Sequence, residues 1–256
     1  MSILSESTHP LVSMQHIDKT FHPDSVSEVH VFQDFNLDIL RGQFVSVVGS
    51  NGSGKTTMLN LICGSLSPDK GDIYLDGTSM NRMKEYQRAR RIGRVFQDPS
   101  RGTCPELTIL ENMALAENKG KPFGLGRGIN HRRADDYRTQ LEDLKLGLED
   151  KVNVPVGGLS GGQRQVLALI IATMTPIDLL ILDEHTAALD PNASATIMEL
   201  TDRIVKAKKL TALMVTHNLK FAVQYGNRLL MMHQGYAVID AAYEKKESLQ
   251  IADLLD

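Results

Sequence analysis

The sequence predicts an α/β fold built around a mainly parallel β-sheet. Short apolar runs alternate along the chain with segments whose apolar residues recur at helical spacing. One four-residue apolar run, at 179–182, is bounded by polar residues. That pattern is typical of a strand buried on both faces of a parallel sheet.

Two regions of the chain, 11–48 and 98–175, differ in their predicted secondary structure. Residues 11–48 predict short strands at 12–17, 29–35 and 37–40, which favours an N-terminal antiparallel β-subdomain. Residues 98–175 are mainly helical, so a helical subdomain is inserted between the strands that precede and follow it. The chain is therefore predicted to be one α/β domain with two subdomains.

A glycine-rich turn joins a predicted strand at 44–48 to a predicted helix from residue 55. Its spacing is that of a phosphate-binding P-loop, G-x-x-x-x-G-K-[ST]. Glycine lets the backbone approach an anion, and successive N–H groups with the helix N-terminus then bind phosphate oxygens. A turn that binds nothing is the alternative, and the flanking strand and helix argue against it. The predicted nucleotide-binding residues here are Gly49, Ser50, Asn51, Gly52, Ser53, Gly54, Lys55, Thr56 and Thr57.

Polar residues end or follow several other predicted strands. Gln97 ends the strand at 92–97, Asp183 and Glu184 follow the apolar run, and His217 follows a further strand. Ligands of open α/β sheets bind beyond the carboxyl ends of the strands. We therefore expect all four side chains to lie near Lys55.

These residue types suit the hydrolysis of a nucleoside triphosphate. Mg²⁺ prefers a few carboxylate or hydroxyl oxygens besides phosphate, and Thr56, Asp183 and the amide of Gln97 provide them. Glu184 faces away from its neighbour on the strand and is the predicted general base. Gln97 would also sense the attacking water, and His217 would hydrogen-bond a γ-phosphate oxygen. Taken singly, Gln97 and His217 are also explained as polar residues at a sheet edge.

Composition limits the class of protein. The net charge of −3 gives no strong field that would favour nucleic acid or anionic lipid. Cys63 and Cys104 cannot form a disulfide framework and fit a reducing compartment. Residues 1–10 lack a secretory signal, and the apolar run at 166–174 is too short to span a bilayer. We expect a cytoplasmic chain that reaches a membrane only through a partner.

The set of motifs resembles the nucleotide-binding subunit of an ABC transporter. Its most specific part is Leu-Ser-Gly-Gly-Gln-Arg-Gln at 159–165, which resembles the LSGGQ signature that other P-loop proteins lack. The resemblance runs from about residue 12 to residue 240. The other matches are the Walker B motif at Asp183 and Glu184, the D-loop at 188–190, the switch histidine at His217, the Q-loop at Gln97 and the adenine-stacking aromatic at Phe21.

The resemblance implies a single ABC nucleotide-binding domain with a P-loop NTPase core. The ATP-binding core with its β-subdomain would occupy 11–97 and 176–240, the helical subdomain 98–175, and a tail helix 241–256. The family's cofactors are ATP and Mg²⁺, and its ATPase activity drives transport. A short helix is expected at 248–255.

The resemblance also implies a head-to-tail dimer with two ATP molecules between the copies. One copy's P-loop would face the signature and D-loop of the second copy. Ser160 would then cap a helix and bind the γ-phosphate at that helix N-terminus. The residues contributed across the dimer would be Ser160, Gly161, Gly162, Gln163 and Asp190.

Several functions remain open within this family. The first is import of a solute through a polytopic membrane permease, with a candidate extracytoplasmic solute-binding protein and no nucleic acid partner. The chain would then be peripheral at the cytoplasmic face of the membrane. Alternatives are a soluble ATPase in iron–sulfur assembly or cell division, and an export or lipoprotein-release ATPase. A DNA-repair or translation role is disfavoured by the single P-loop and the absence of a coiled-coil insert.

Two local features refine the resemblance. Most members have proline after the catalytic glutamate, whereas this chain has His185, for which we expect a structural role. The sequences at 183–190 and 225–228 resemble those of a subgroup of bacterial importer ATPases. Some members of that subgroup are associated with the uptake of aromatic amino acids.

Overall fold

Two β-sheets form the centre of the structure, a computed structural model that describes residues 9–121 and 133–254. The strands are β1 (Val12–Phe21), β2 (Val29–Ile39), β3 (Phe44–Gly49), β4 (Lys70–Leu75), β5 (Thr78–Ser79), β6 (Ile92–Val95), β7 (Leu179–Asp183), β8 (Thr211–Val215), β9 (Arg228–His233) and β10 (Tyr236–Ala242). The smaller sheet has the order β2-β1-β4-β5, and the larger one has the order β10-β9-β3-β8-β7-β6.

Helices cover the larger sheet and form most of the segment between β6 and β7. They are α1 (Lys55–Cys63), α2 (Glu85–Arg88), α3 (Ile109–Glu117), α4 (Ala134–Glu142), α5 (Gly161–Thr173), α6 (Pro191–Lys208), α7 (Leu219–Gln224) and α8 (Glu244–Glu247). Among the described residues, no helix has both the length and the apolar character needed to cross a bilayer.

Parallel pairing dominates the larger sheet. β9, β3, β8, β7 and β6 pair in parallel, and only β10 runs antiparallel, on β9. The smaller sheet is wholly antiparallel. The predicted α/β class, with a mainly parallel sheet and an N-terminal antiparallel sheet, is confirmed. The carboxyl ends of β3, β8, β7 and β6 consequently meet at one edge.

Alternate residues of the central strands pack into different cores. In β7, Leu180 and Leu182 pack in the core with α3 to α6. Leu179 and Ile181 pack on the opposite face, in the core that α1 shares with the smaller sheet. Both faces of the strand are therefore apolar, which explains the continuous apolar run in the sequence.

The N-terminal strands are longer than the sequence predicted. Instead of breaks after residues 17 and 35, β1 and β2 continue through irregularities in their register. His16 and Asp34 have positive φ there, and side chains replace ladder bonds: Asn36 Oδ1 accepts from the His16 N–H, and Asp18 Oδ1 accepts from the Asp34 N–H. Such bulges interrupt the alternation of apolar and polar residues, so the sequence pattern predicts three short strands instead of two long ones.

Local capping signals predicted helix starts well. The spacing of Thr108 and Glu111 predicts a capping box. The structure confirms it, because the Thr108 hydroxyl accepts from the Glu111 N–H at 3.2 Å and Glu111 accepts from the Thr108 N–H. Proline after a capping aspartate predicts a helix start at Pro191, and α6 begins there. Helix α5 begins directly after Ser160, several residues before the apolar run at 166–174 that signalled it.

Helix ends and surface segments were predicted less well. The helix expected at 248–255 is wrong: the chain instead forms α8 and a 3₁₀ turn at Ala252–Leu254. Lys246 fixes this arrangement, because its buried ammonium donates to the carbonyl oxygens of Tyr225 and Gly226. The charged pattern at 130–146 predicts a solvated face for Arg132 and Arg133, and in the structure Arg133 forms ion pairs with Glu117 and Asp136. The glycines at 119–128 predict a flexible loop, but most of that segment, and Arg132, lie outside the described residues.

Candidate functional site

The P-loop connects β3 to α1 and is shaped by glycines that side chains would disturb. A Cβ on Gly49 would come within 2.2 Å of the Met232 carbonyl oxygen. Gly54, the residue before α1, has φ of +100° and lies against the Phe32 ring. Gly235, at the turn between β9 and β10, donates its N–H to the Ser53 carbonyl oxygen at 3.2 Å. The loop is therefore held by the sheet beneath it.

Lys55 lies in the first turn of α1 and closes the P-loop upon itself. Its Nζ donates to the carbonyl oxygens of Gly49 and Ser50, at 2.8 and 2.9 Å. Burial lowers the pKa of the Lys55 ammonium, and the charge of Glu184 opposes that shift. The ammonium is thus held within the loop by two neutral carbonyl oxygens.

Two predicted catalytic residues meet at the carboxyl ends of neighbouring strands. Glu184 follows β7, and its Oε1 lies 2.8 Å from Nε2 of His217, which follows β8. Glu184 has a positive φ of 48°, which turns it away from the strand direction. Its N–H donates to the Val215 carbonyl oxygen at 3.0 Å, so the turn is anchored on β8. The side chains are 18% and 46% exposed, and solvent therefore reaches the pair from the histidine side.

The predicted metal carboxylate, Asp183, has a partner that was not predicted from the sequence. Asp183, at the end of β7, accepts from Nη2 of Arg94 on β6 at 2.6 Å. The signal was available: a charged residue inside a short buried strand, Ile92–Val95, is unusual and calls for a partner.

Residues suited to Mg²⁺ are present at this edge of the sheet. The Thr56 residue at the start of α1 is exposed, and Asp183 ends the strand next to β8. The described residues contain no group of three or more His, Cys, Asp or Glu side chains that could hold a metal. Mg²⁺ bound with a nucleotide needs only one or two protein oxygens, since phosphates and water supply the rest. The donor set fits that mode of binding.

Gln97 follows a strand of the larger sheet, whereas Phe21 ends a strand of the smaller sheet. The strand predicted to end at Gln97 ends at Val95 instead, so Gln97 lies two residues beyond β6, and it is exposed. The carbonyl oxygen of its neighbour Phe96 accepts from the Gln165 amide of α5 at 3.0 Å, which ties this segment to the signature helix. Phe21 ends β1, partly exposed, with Lys19 Nζ 5.6 Å from the ring centroid.

The signature segment forms a helix N-terminus apart from the P-loop. Ser160 caps α5, with its hydroxyl accepting from the Gln163 N–H at 3.2 Å, while Gln163 Oε1 accepts from the Ser160 N–H. Asp190 caps α6 in the same way, accepting from the N–H groups of Asn192 and Ala193. Among the described residues, no hydrogen bond or ion pair joins Ser160, Gly161, Gly162, Gln163 or Asp190 to the P-loop of the same chain.

His185 is buried beside the site and packs against α6. Its side chain is 2% exposed, and Nε2 lies 3.3 Å from the Thr201 hydroxyl. Thr201 donates its own proton to the Ile197 carbonyl oxygen, so Nε2 of a neutral imidazole is the donor to Thr201. Burial lowers the pKa of His185 to about 4. These contacts agree with the structural role expected for this histidine.

Comparison with known proteins identifies the family. The sequence model of the family described as "ABC transporter" matches residues 32–187, more than half of the chain. The chain therefore belongs to the ABC transporter family, as an ATP-binding subunit with ATPase activity. It binds ATP, and Mg²⁺ is the metal expected throughout this family.

Similar proteins and structures agree with this assignment. The chain is 44% identical over 247 residues to the tyrosine transport ATP-binding protein of Clostridioides difficile (strain R20291), covering 96% of this chain and 98% of that protein. It is 33% identical to the lipoprotein-releasing system ATP-binding protein LolD 1 of Caulobacter vibrioides, over 86% and 92% of the two chains.

One solved structure carries the same architecture with the products of hydrolysis. It is the dimeric post-hydrolysis state of the ATP-binding cassette MJ0796 bound to ADP and Pi. Its TM-score is 0.74 at 30% identity, covering 90% of this chain and 98% of that one. ATP-binding subunits of this family dimerise and work with membrane permease components.

Proposed function

We propose that this chain hydrolyses ATP to drive the import of an aromatic amino acid through a separate membrane permease. The hydrolytic part of the proposal depends on the contact between Glu184 and His217 at the P-loop edge of the sheet. The transport part is supported by the 44% identity to a tyrosine transport ATP-binding protein, over almost the full length of both chains.

Glu184 is the proposed general base. A carboxylate 2.8 Å from an imidazole is held in one orientation, and the pair is accessible to solvent on the histidine side. Glu184 takes the proton from the attacking water. His217 holds the carboxylate before ATP binds, and its N–H then turns from Glu184 to a γ-phosphate oxygen, since a neutral imidazole has only one N–H to donate. Lys55 leaves its carbonyl partners for the β- and γ-phosphates, which are stronger acceptors for an ammonium.

Thr56, Asp183 and Gln97 are the proposed residues for Mg²⁺. The ion, when bound, neutralises charge on the phosphates and so lowers the barrier to phosphoryl transfer. Phe21 is the proposed stacking surface for adenine, because it is a partly exposed aromatic residue at the end of β1.

A second copy of the chain completes the proposed ATP site. Ser160 is exposed and caps α5, and the partly exposed Gly161 and Gly162 begin that helix of 13 residues, whose free N–H groups favour an anion. Among the described residues, no hydrogen bond or ion pair joins that helix start to the P-loop of the same chain. The γ-phosphate bound on one copy is therefore the proposed ligand of the signature segment on the other copy, with Gln163 and Asp190 shaping the two helix starts.

A groove between the core and the helical segment is the proposed contact for the permease. Its volume is about 480 Å³, and its lining includes Phe96, Arg101, Leu115 and Ala172. Phe96 precedes Gln97, so a segment of the permease seated there would lie next to a residue proposed to sense the metal and water.

The proposal is tested in cells that lack this chain and receive either the wild type or Glu184→Gln. We expect the wild type to restore uptake of radiolabelled tyrosine or phenylalanine and to co-purify from membranes with a polytopic permease. The Glu184→Gln variant should co-purify but restore no uptake.

Two outcomes would contradict the proposal. A stable complex with soluble assembly proteins instead of a permease would favour a non-transport ATPase. Normal amino acid uptake together with mislocalised lipoproteins would favour the release function suggested by the similarity to LolD 1.

A further inference from the structure

The side chain of Arg94 occupies the space next to the metal carboxylate. Its Nη2 donates to Asp183 Oδ2 at 2.6 Å, and its Nη1 donates to Asn60 Oδ1 of α1 at 3.0 Å. The two charged side chains are only 10% and 14% exposed. Because both side chains are so little exposed, the attraction between the two charges is screened less than that of a surface pair.

On its other side, the same guanidinium has partners that do not depend on Asp183. Its Cζ lies 4.7 Å from the Phe96 ring centroid, and the Cζ of Arg101 lies 4.6 Å from that centroid. Within the described part of the chain, the buried Nε of Arg94 has no hydrogen-bond partner. Arg94 thus keeps a cation–π contact and the Asn60 amide even when Asp183 is otherwise engaged.

We propose that Arg94 is a positioning residue that sets how much Mg²⁺ the nucleotide site requires. It holds the Asp183 carboxylate at the end of β7, and its charge competes with Mg²⁺ for that carboxylate. This inference rests on the proposed role of Asp183 at the magnesium site. Because Asp183 is already paired, Mg²⁺ has to displace the guanidinium or share the carboxylate with it. The apparent affinity of the site for Mg²⁺ is therefore lowered.

The test measures binding and not turnover. The affinity of fluorescent N-methylanthraniloyl-ADP is measured at a series of free Mg²⁺ concentrations, which gives a half-saturating Mg²⁺ concentration for each variant. For Arg94→Gln, which removes the charge and keeps a donor, we expect that concentration to fall at least about five-fold, as removal of a nearby unit charge predicts. Arg94→Lys keeps the positive charge next to Asp183. Its half-saturating Mg²⁺ concentration should therefore stay within about two-fold of that of the wild type.

Arg101→Gln is the matched control. Arg101 stacks on the same Phe96 ring but forms no hydrogen bond or ion pair with Asp183 among the described residues. Its loss should leave the half-saturating Mg²⁺ concentration unchanged. Melting temperatures recorded with ADP at each Mg²⁺ concentration show that the variants fold. Arg94→Met provides a second variant without the charge of Arg94.

Asp183→Asn separates failure of this inference from failure of the proposed metal site. If Asp183→Asn leaves the Mg²⁺ dependence unchanged, the metal site itself is elsewhere. If Asp183→Asn raises the Mg²⁺ requirement but the folded Arg94→Gln and Arg94→Met variants do not lower it, Arg94 has only a structural role. A lower requirement in Arg101→Gln of the same size would also overturn the inference.

Discussion

Glu184 Oε1 and His217 Nε2 lie 2.8 Å apart, on residues that follow two neighbouring parallel strands. The contact depends on the positive φ of Glu184, which turns the residue out of the line of β7. Such a conformation is uncommon for a residue with a side chain, and its occurrence at a strand end beside the P-loop is typical of a functional position. The pair therefore provides the most direct structural support for hydrolysis at this edge of the sheet.

Removing the carboxylate tests the role of Glu184. Glu184→Gln keeps the size and a hydrogen bond to His217 but removes the base, so we expect hydrolysis to fall by about 100-fold or more. Nucleotide binding should persist, and the variant with ATP should elute as a dimer from a sizing column. The control is Glu199→Gln, an exposed position on α6. A phosphate-release rate near that of the wild type would show that Glu184 is not the base.

Truncation of Phe21 tests the proposed adenine contact. Phe21→Ala should weaken ATP binding by about 1 kcal/mol, or roughly five-fold, because one stacking contact is lost. Phe21→Tyr keeps an aromatic face and should bind as the wild type does. Equal affinities of Phe21→Ala and the wild type in a calorimetric titration would mean that adenine stacks elsewhere.

The buried imidazole of His185 makes stability depend on pH. Burial lowers its pKa from 6.5 to about 4 in the folded chain. As pH falls below 6.5, the unfolded chain takes up a proton that the folded chain does not, so the free energy of unfolding decreases until pH approaches 4. Between pH 7 and pH 5 the loss from this group is about 2 kcal/mol.

Urea unfolding at the two pH values, with His185→Gln as the comparison, isolates this contribution. The variant does not titrate there, so its stability should decrease by about 2 kcal/mol less than that of the wild type over the same interval. Parallel pH dependences for the two proteins would show that His185 is solvated or already charged in the folded state.

Signals within a few residues made much of the fold predictable. The capping box at Thr108, Pro191 at the start of α6 and the alternation of strands and helices all act locally, so the sequence displays them directly. The positions of Glu184 and His217 at strand ends followed from the apolar runs before them. The contact between these two side chains was not predicted, because it depends on the order of β7 and β8 in the sheet.

Features that depend on distant partners were missed. Arg94 pairs with a carboxylate 89 positions away, and Lys246 binds carbonyl oxygens near residue 225. Side chains at the bulges of β1 and β2 replace ladder hydrogen bonds, which hides the strands from a pattern of alternating residues. Sequence periodicity records burial along one element, whereas these contacts join separate elements.

The central claim is that a second copy of the chain completes each ATP site. Lys55→Ala should lose nucleotide binding through its own P-loop, and Ser160→Arg should block the signature segment, so each variant alone should be inactive. Head-to-tail pairing of the two variants regenerates one intact site per mixed dimer.

The most direct measurement is the ATPase rate of an equimolar mixture of Lys55→Ala and Ser160→Arg. Random pairing makes half of the dimers mixed, each with one of its two sites intact. If the two sites act independently, the mixture should therefore recover about a quarter of the wild-type rate at saturating ATP. A mixture as inactive as either variant alone, under conditions where mixed dimers are shown to form, would contradict a site shared between two copies.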